Sequence, residues 1–511
     1  MPGDDLIAER VRKAADLRAH GIDPYGTDFV PTASLEEARA LAAAAPEGSD
    51  GGPGEGAEVV VAGRIMRLRD KGGVLFADLQ DESEPRMQMW FRPENLGDDA
   101  FRLAKSLDLG DIVGVRGRVT RTRRGEPSVL AGHLTLLVKA LRQPPEKWHG
   151  LQDQETRYRK RYLDLMSSPE QRRHFATRSA IVRSLRRTLD ARGFLEVETP
   201  ILVPIPGGGA AVPFVTHWNA LHTDVFMRIA IELHLKRLLV GGYQRVYELG
   251  RVFRNEGLGP RWNPEFTMLE VYQAYADYNT MRELTEALIT DAALALGERM
   301  PASGEAGADP LHPRIGDDVV DLTAPYRVAR MVDLVRERCG VDAVQQWDEL
   351  PDVAKRLGVE VRPGLGPGAV LLEIYEQKVE PTIWEPTFVT DYPAEVSPLA
   401  RRRRDDPRFV ERFELIAAGR ELANAFSELN DPIDQRERME EQARLRAAGD
   451  AEAQPIDEDF LEALEVGMPP AGGLGVGVDR LVMLLTGAPT IRDVLLFPTM
   501  RPQPRRDLGD R

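Results

Sequence analysis

The 511-residue sequence predicts an α+β protein, with a small β-barrel ahead of a larger domain of helices and strands. The first observation is length, because a chain of this size exceeds what one hydrophobic core usually supports. The second is a series of period-two apolar runs between residues 59 and 142, which is typical of short strands. The third is helical spacing over residues 171–192, followed by strand-like segments.

The composition is that of a globular protein and excludes several classes. Hydrophobic residues make up 42% and charged residues 29% of the chain. It has no run of about 18 uncharged apolar residues, which excludes a membrane span, and its acidic N-terminus lacks the apolar region of a secretory signal. The single cysteine, Cys339, excludes an intrachain disulfide and a Cys-based zinc site. We therefore expect a cytoplasmic protein with no membrane partner.

The net charge of −15 argues against a nonspecific nucleic-acid binder, since such proteins normally carry a basic surface. Local basic patches remain compatible with nucleic-acid binding, so the position of the basic residues matters more than their number. Composition shifts divide the chain into four predicted segments. These are an N-terminal helical extension and flexible connector (1–57), an OB-type barrel (58–143), a linker (144–170), and a large domain (171–511) with a mainly helical insert near 328–380.

The predicted barrel consists of five strand-like runs separated by Gly, Pro, Asp and Glu turns, a pattern that favours a small closed barrel of the OB type. Arginines occur throughout it, and Phe76 and Trp90 lie on strands among them. Such a surface could stack unpaired bases on its rings while arginines hold phosphates. The alternative is a barrel with core aromatics and a solvated arginine face, and the sequence does not decide between the two.

The first segment that could form part of a functional site is GFLEVETPILVPIPGGGAAVPF, residues 193–214. Pro200 has no N–H to donate, so this strand suits a sheet edge or an interface. The glycines at 207–209 permit close approach of a ligand to the backbone, although three glycines are also typical of a mobile turn.

The second block contains two strand-like runs, RVYELGRVFRNE and EFTMLEVYQAY, around a loop rich in Gly, Pro, Arg and Asn. Alternation places Arg254 and Glu256 on one face of the first strand. On the second strand, one face carries Phe266, Met268, Glu270 and Tyr272. We interpret this charged, aromatic face as a ligand site, and the alternative is an internal Arg–Glu pair beside a core phenylalanine.

The third block combines RFELIAAGRELANAFSELND (412–431) with GGLGVGVDR (472–480). A hairpin at AAGR would bring Glu414 and Glu421 together, and two carboxylates without a nearby His or Cys suit Mg²⁺. Asn424, Phe426 and Glu428 alternate onto one face. The glycine-rich strand lacks both the G-x-G-x-x-G spacing and a G-K-[ST] ending, so a dinucleotide fold and a P-loop are poor interpretations.

These motifs together resemble those of a known family. FRNEG with NPEFTMLE resembles motif 2 of the class II aminoacyl-tRNA synthetases, GLGVGVDR resembles motif 3, and GFLEVETPIL resembles motif 1. HGLQDQETRYRKRYLDL, NPEFTMLEVYQAYADY and ELANAFSELND resemble the bacterial lysyl-tRNA synthetases in particular. The resemblance runs in order from about Val59 to Pro502. It implies an N-terminal anticodon-binding OB-fold and a class II catalytic domain on an antiparallel sheet, in a homodimer formed through motif 1.

The resemblance also implies roles for individual residues, with tRNA(Lys), L-lysine and ATP as partners. The catalytic residues would be Arg254 and Arg480, which would neutralise charge on the ATP phosphates. Mg²⁺ would be held by Glu414 and Glu421. The ATP-binding set would be Arg254, Glu256, Asn263, Phe266, Glu414, Glu421 and Arg480. The lysine-binding set would be Gly208, Glu232, Glu270, Tyr272, Asn424, Phe426 and Glu428. The anticodon-binding set would be Arg69, Phe76 and Gln88.

Two departures from the family pattern are visible. Trp262 stands where the family usually has a histidine near the ATP phosphates, and Leu68 stands where relatives often carry a basic residue.

Two other functions are weighed against lysine charging. An aspartate or asparagine enzyme of the same class would want a cation where the pocket acids stand, and a paralogue that binds tRNA or nucleotide without charging is favoured only by Trp262.

Overall fold

The computed structural model describes residues 2–26, 28–44, 56–83, 86–122, 124–145, 151, 153–257, 259–297, 309–450 and 453–503. The predicted flexible connector, apart from Gly56, lies outside these residues, as do Arg123 and parts of the predicted linker. The chain forms two compact units, Met1–Pro169 and Glu170–Arg511. The four-segment division of the sequence stays a prediction.

The N-terminal unit is built around a closed barrel. Its helices are α1 (Pro2–Ala19), α2 (Leu35–Ala44), α3 (Pro93–Leu96), α4 (Asp98–Ser106), α5 (Gln154–Arg159) and α6 (Arg161–Ser167). Its strands are β1 (Glu58–Asp70), β2 (Leu75–Gln80), β3 (Met87–Phe91), β4 (Ile112–Arg121) and β5 (Pro127–Val138). The barrel closes in the order β1-β2-β3-β5-β4, which confirms the predicted OB-type fold. In β2 the alternate residues Leu75, Ala77 and Leu79 point into the barrel core.

The second unit is larger and mixes helices with strands. Its helices are α7 (Pro169–Asp190), α8 (Glu232–Val240), α9 (Tyr278–Gly297), α10 (Met331–Cys339), α11 (Leu350–Arg356), α12 (Pro367–Lys378), α13 (Pro432–Ala447), α14 (Glu458–Gly467), α15 (Val478–Thr486) and α16 (Ile491–Val494). Its strands are β6 (Leu195–Glu196), β7 (Leu202–Val203), β8 (Val215–Trp218), β9 (Thr223–Met227), β10 (Arg245–Phe253), β11 (Glu265–Ala274), β12 (Arg314–Ile315), β13 (Asp318–Val319), β14 (Arg327–Arg330), β15 (Thr387–Thr390), β16 (Arg412–Ala417), β17 (Arg420–Ser427) and β18 (Ala471–Gly477).

An eight-stranded sheet organises this unit, in the order β14-β15-β16-β17-β18-β11-β10-β6. The sheet is antiparallel from β15 to β10, as the sequence predicts. The edge strands β14 and β6 pair in parallel with their neighbours, so the complete sheet is mixed. None of the described helices is long and apolar enough to cross a membrane.

The two faces of the sheet have different neighbours. One face packs against α7, α9 and α15, where residues such as Leu185, Leu288 and Val482 join Leu269 and Leu474 from the strands. Because side chains alternate along a strand, the residues between these core positions point to the opposite face. That face carries the charged and aromatic residues singled out in the sequence.

Candidate active site

The floor of the site is the central strand β18, which has glycine at 473, 475 and 477. Gly475 lies opposite Asn424 of β17 on one side and opposite Glu270 of β11 on the other. Since these alternate glycines put no side chain on the open face, the neighbouring strands flank a groove whose floor is backbone. A Cβ on Gly473 would lie 1.9 Å from Glu428 Oε1, so the missing side chain is what makes room for this carboxylate.

A bulge in β17 determines which residues share the groove. Leu415 pairs with Ala423, but Ile416 pairs with Glu421, so Leu422 is an extra residue in the hairpin. Alternation alone would put Glu421 and Asn424 on opposite faces. The extra residue turns Leu422 into the core and leaves both polar residues facing the groove. The predicted hairpin is present, whereas its bulge has no sequence signal that we recognised.

Arg254 and Glu256 lie on the loop between β10 and β11 and not on a strand, which corrects our prediction. We predicted Arg254 and Glu256 on a strand face, but β10 ends at Phe253 because the following segment is rich in glycine and proline. Arg254 N still donates to Pro264 O at 2.9 Å, so Arg254 stays at the mouth of the groove. Glu256 lies farther along the loop and is exposed.

The loop and the sheet line a cavity at the mouth of the groove. The predicted ATP-binding residues on its wall are Arg254, Glu256, Asn263, Phe266, Glu421 and Arg480. Asn263 is tied to the loop, since its Nδ2 donates to Glu265 O at 2.6 Å. Trp262 also lines the cavity, and its ring packs so closely on Gly259 that a Cβ there would lie 2.5 Å from it.

Arg261 lines this cavity, and Arg254 and Arg480 bring two further positive charges to it. The guanidinium of Arg254 lies 5.3 Å from the centre of the Phe266 ring, and its Nε donates a long hydrogen bond of 3.4 Å to Ile229 O. Arg480, at the start of α15, donates from Nη1 to Glu421 Oε2 at 2.8 Å. The arrangement offers a flat ring and three cations, which suits a base with phosphates.

Glu414 and Glu421 are the candidate metal ligands. Burial and the neighbouring Glu421 charge raise the pKa of Glu414, while Arg412 lies 2.5 Å from its Oε1. For Glu421, burial acts to raise the pKa, but Arg480 outweighs it and the net pKa is lowered. Paired carboxylate oxygens fit a hard cation such as Mg²⁺. Within the described residues no group of three or more His, Cys, Asp or Glu side chains forms a ready metal cage.

The other end of the groove is acidic. Glu232, Glu270 and Glu428 are buried there, and Tyr272 donates its hydroxyl to Glu270 Oε2 at 3.2 Å. Burial, and then the charge of Glu232, raise the pKa of Glu270 to about 7. Gly208 adopts a φ of +83° with its Cα beside Glu232, where a Cβ would lie 3.2 Å from that side chain.

The same pocket contains a residue that the sequence analysis missed. Lys236 is fully buried and its Nζ is 2.5 Å from both Glu232 Oε1 and Glu428 Oε2. A lysine four residues after a glutamate on an amphipathic helix ordinarily indicates a surface pair. The clue was the surrounding run IAIELHLKRLLV, whose apolar residues bury this helix on both sides.

The predicted anticodon-binding residues lie on the outside of the barrel, across adjacent strands. Arg69 lies opposite Phe76 on the neighbouring strand, and Phe76 lies opposite Trp90 on the next. The rings of Phe76 and Trp90 stack with their centroids 5.9 Å apart. Neither ring belongs to the barrel core, so the interpretation as core aromatics is wrong. Arg69 pairs with Asp78 at 2.8 Å, and Gln88 is buried beside them, where it accepts from Ser128 Oγ at 2.9 Å.

Comparison with known proteins decides the family. Residues 153–501 match the family described as tRNA synthetases class II (D, K and N), and residues 59–137 match the OB-fold nucleic acid binding domain. The chain belongs to the class II tRNA synthetases. Similar relatives include the lysine–tRNA ligases of Moorella thermoacetica, 52% identical, and of Bacillus subtilis, 50% identical. The first alignment covers 98% of both chains, and the second covers 98% of this chain and 97% of the relative.

Proposed function

We propose that this synthetase ligates L-lysine to tRNA(Lys) at the expense of ATP, through a lysyl-adenylate. The full-length relatives carry the name lysine–tRNA ligase at about half identity, and both matched domains lie in the order that this activity needs. The alternative of binding tRNA or nucleotide without charging is not favoured. The chain retains both arginines and both candidate metal carboxylates of the groove.

The observation that carries the choice of amino acid is Glu428. This carboxylate is 1% exposed; its Oε2 lies 2.5 Å from Lys236 Nζ, whereas its Oε1 has no hydrogen-bond partner among the described residues. Buried polar atoms without such partners are costly, and a ligand ammonium would satisfy them. Lysine carries two ammonium groups, which matches an excess of carboxylates over internal cations.

The same charges argue against an aspartate or asparagine substrate. A carboxylate side chain would lie among Glu232, Glu270 and Glu428 and would be repelled by them. A neutral amide would leave the acids without a compensating charge. Specificity thus comes from rejection as well as attraction.

The first chemical step needs little proton transfer from the protein. The lysine carboxylate is ionised at neutral pH and attacks the α-phosphorus of ATP, releasing pyrophosphate, so no general base is required. We assign Arg254 and Arg480 to the phosphates, Phe266 to the adenine, and Glu256 and Asn263 to further contacts with the nucleotide. Catalysis then rests on positioning and on charge stabilisation. Mg²⁺, held by Glu414 and Glu421, would add positive charge beside the phosphates.

The second step transfers the lysyl group to a terminal ribose hydroxyl of tRNA. We assign recognition of the anticodon to Arg69, Phe76 and Gln88. The supporting feature is the half-buried ladder of a guanidinium and stacked rings on the outside of the barrel, on which unpaired bases can stack.

We further propose a cytoplasmic homodimer. The segment resembling motif 1 and the strands that follow it expose apolar side chains that a single chain leaves uncovered. These are Leu195, Ile201, Leu202, Val215 and Trp218, with exposed fractions from 43% to 59%. A cluster of this kind is typical of a protein interface. Sedimentation of the wild type and of Ile201→Asp tests this, since the substitution should shift the protein toward monomer.

The proposed function is tested by charging a tRNA(Lys) transcript with radiolabelled lysine. We expect lysyl-tRNA to accumulate and to be lost when ATP is omitted. Formation of lysyl-adenylate without transfer to tRNA would favour a non-charging paralogue. A parallel assay contains tRNA(Asp) and radiolabelled aspartate, and charging there would contradict the assignment of the amino acid.

A further inference from the structure

Lys236 holds an unusual position for a lysine. It lies on α8 with an exposed fraction of 0%, and its ammonium bridges two carboxylates from different elements. The aromatic rings of Phe426 and Phe460 flank the ammonium, with centroids 5.4 and 5.8 Å from Nζ. The bridge therefore joins α8 to the residue that follows β17, inside the pocket proposed for the amino acid.

An ammonium buried this deeply persists only with compensating partners. Burial acts to lower the pKa of Lys236, but Glu232 and Glu428 outweigh it and the net pKa is raised. Conversely, burial raises the pKa of Glu428 well above its usual value, and the Lys236 ammonium reduces that rise without cancelling it. The charges of Lys236 and Glu428 thus depend on each other.

We propose that Lys236 is a positioning residue: an internal ammonium that bridges the Glu232 and Glu428 carboxylates and holds them at a fixed separation in readiness for a cationic substrate. This inference rests on the proposed function. Without the bridge, two buried carboxylates would repel each other, and the pocket would relieve the repulsion by taking up protons or by moving the side chains apart. A substrate ammonium would then have to displace those protons.

The charge balance of the pocket leaves room for the substrate. The groups that face Lys236 are Glu232 from α8 and Glu428 after β17, with Glu270 and Tyr272 of β11 next to them. Helix α14 contributes only the Phe460 ring. Two cations therefore act on three carboxylates: Lys236, and Arg254, whose charge acts on Glu270. A net negative charge thus remains for a cationic ligand even with the bridge intact.

The test is Lys236→Met, which keeps an unbranched side chain only one heavy atom shorter and removes the charge. ATP–pyrophosphate exchange is measured against lysine and against ATP from pH 6 to pH 9. We expect the lysine KM at pH 7 to rise at least about tenfold, the cost of an uncompensated buried charge, and to fall again as the pH rises. The ATP KM should stay within about twofold of the wild type, because the bridge does not touch the ATP cavity.

Lys139→Met is the matched control. Lys139 is also a buried lysine between two carboxylates, at 2.6 Å from Asp108 and 2.8 Å from Asp111, but it belongs to the barrel unit. Its loss should lower stability and leave the lysine KM and its pH dependence unchanged. A lysine KM that moves equally in both variants would show a general effect of destabilisation and overturn the inference.

An unchanged lysine KM and pH profile in Lys236→Met would also overturn the inference, as would tighter lysine binding, which would mean that Lys236 only repels the substrate.

Should Lys236→Met not fold, the double variant Lys236→Met/Glu428→Gln, which removes both members of the pair, is compared with Glu428→Gln. We expect the double variant to have the higher lysine KM, because Glu232 has lost its partner, and equal values would overturn the inference. Absence of lysine-dependent exchange in the wild type would instead refute the proposed function.

Discussion

Glu428 is the residue whose charge bears most directly on lysine recognition. We predict that Glu428→Gln, which keeps the shape and removes the charge, weakens lysine binding by at least about 1.5 kcal/mol, the lower range for a charge-assisted hydrogen bond. The ATP KM should barely change. Steady-state exchange measures both constants, and an unaltered lysine KM would refute the assignment. Glu458→Gln, which removes an exposed carboxylate paired with Arg436, is the control and should leave both constants unchanged.

Glu270 makes lysine binding dependent on pH. Its pKa of about 7 means that the carboxyl is protonated at lower pH, so the pocket loses negative charge as the pH falls. The side-chain ammonium of lysine stays charged throughout. We therefore predict that the lysine KM rises as the pH falls below 7, at a limiting slope of about tenfold per unit.

The measurement is the lysine KM between pH 5.5 and 7.5 in the wild type and in Glu270→Gln. The variant cannot take up the proton, so its profile should lose this dependence. A wild-type KM that is flat across the range would show that Glu270 is ionised throughout and that burial does not control its charge.

At the scale of elements, strand β18 shapes the groove because its alternate glycines have no side chains. In Gly473→Ala the new Cβ would lie 1.9 Å from Glu428 Oε1 and 2.6 Å from Tyr272 Cε1, so one of these side chains must move. We predict that the lysine KM rises at least about tenfold, in keeping with the cost of overpacking. Gly132→Ala, on a barrel strand with open space around it, is the control. Equal lysine KM values for the two variants would contradict this role of the strand.

The loop between β10 and β11 carries Trp262, which is 51% exposed and borders the ATP cavity. An imidazole there could carry a positive charge that the indole cannot. We predict that Trp262→His leaves the fold intact and tightens ATP binding by less than about 1.5 kcal/mol, the scale of a partly exposed charge contact. Lysine affinity should not change, because the pocket acids lie outside this loop.

The competing explanation is that the Trp262 ring stacks on adenine or on the tRNA acceptor end, which would contribute about 1–3 kcal/mol. The ATP KM and the tRNA KM of Trp262→His separate the two. A higher KM for either ATP or tRNA would show that the Trp262 ring contributes to binding that ligand. Trp262→Phe serves as the comparison, since it keeps a ring without adding a charge.

At the scale of the whole molecule, alternation and turn residues were enough to predict the barrel and the β16–β17 hairpin, whereas the antiparallel sheet was implied by the family resemblance. The barrel and the hairpin depend on local patterns that the chain carries within one segment. The bulge at Leu422 and the burial of Lys236 could not be predicted in this way. The burial of Lys236 depends on contacts between segments far apart in the chain, such as its bridge to Glu428, and the bulge breaks the regular alternation within its own hairpin. The lysine- and ATP-binding residues identified by resemblance lie around the groove and its cavity, with Glu256 on the exposed loop, whereas the anticodon-binding residues lie on the barrel.

The central claim is that an acidic groove in a class II synthetase selects lysine. ATP–pyrophosphate exchange with each amino acid in turn tests it most directly, because exchange reports formation of the adenylate without any contribution from tRNA. We predict exchange with lysine far above that with aspartate or asparagine, since of the three only lysine adds a side-chain ammonium to pair with Glu232, Glu270 and Glu428. No exchange with lysine, or faster exchange with aspartate, would contradict the account.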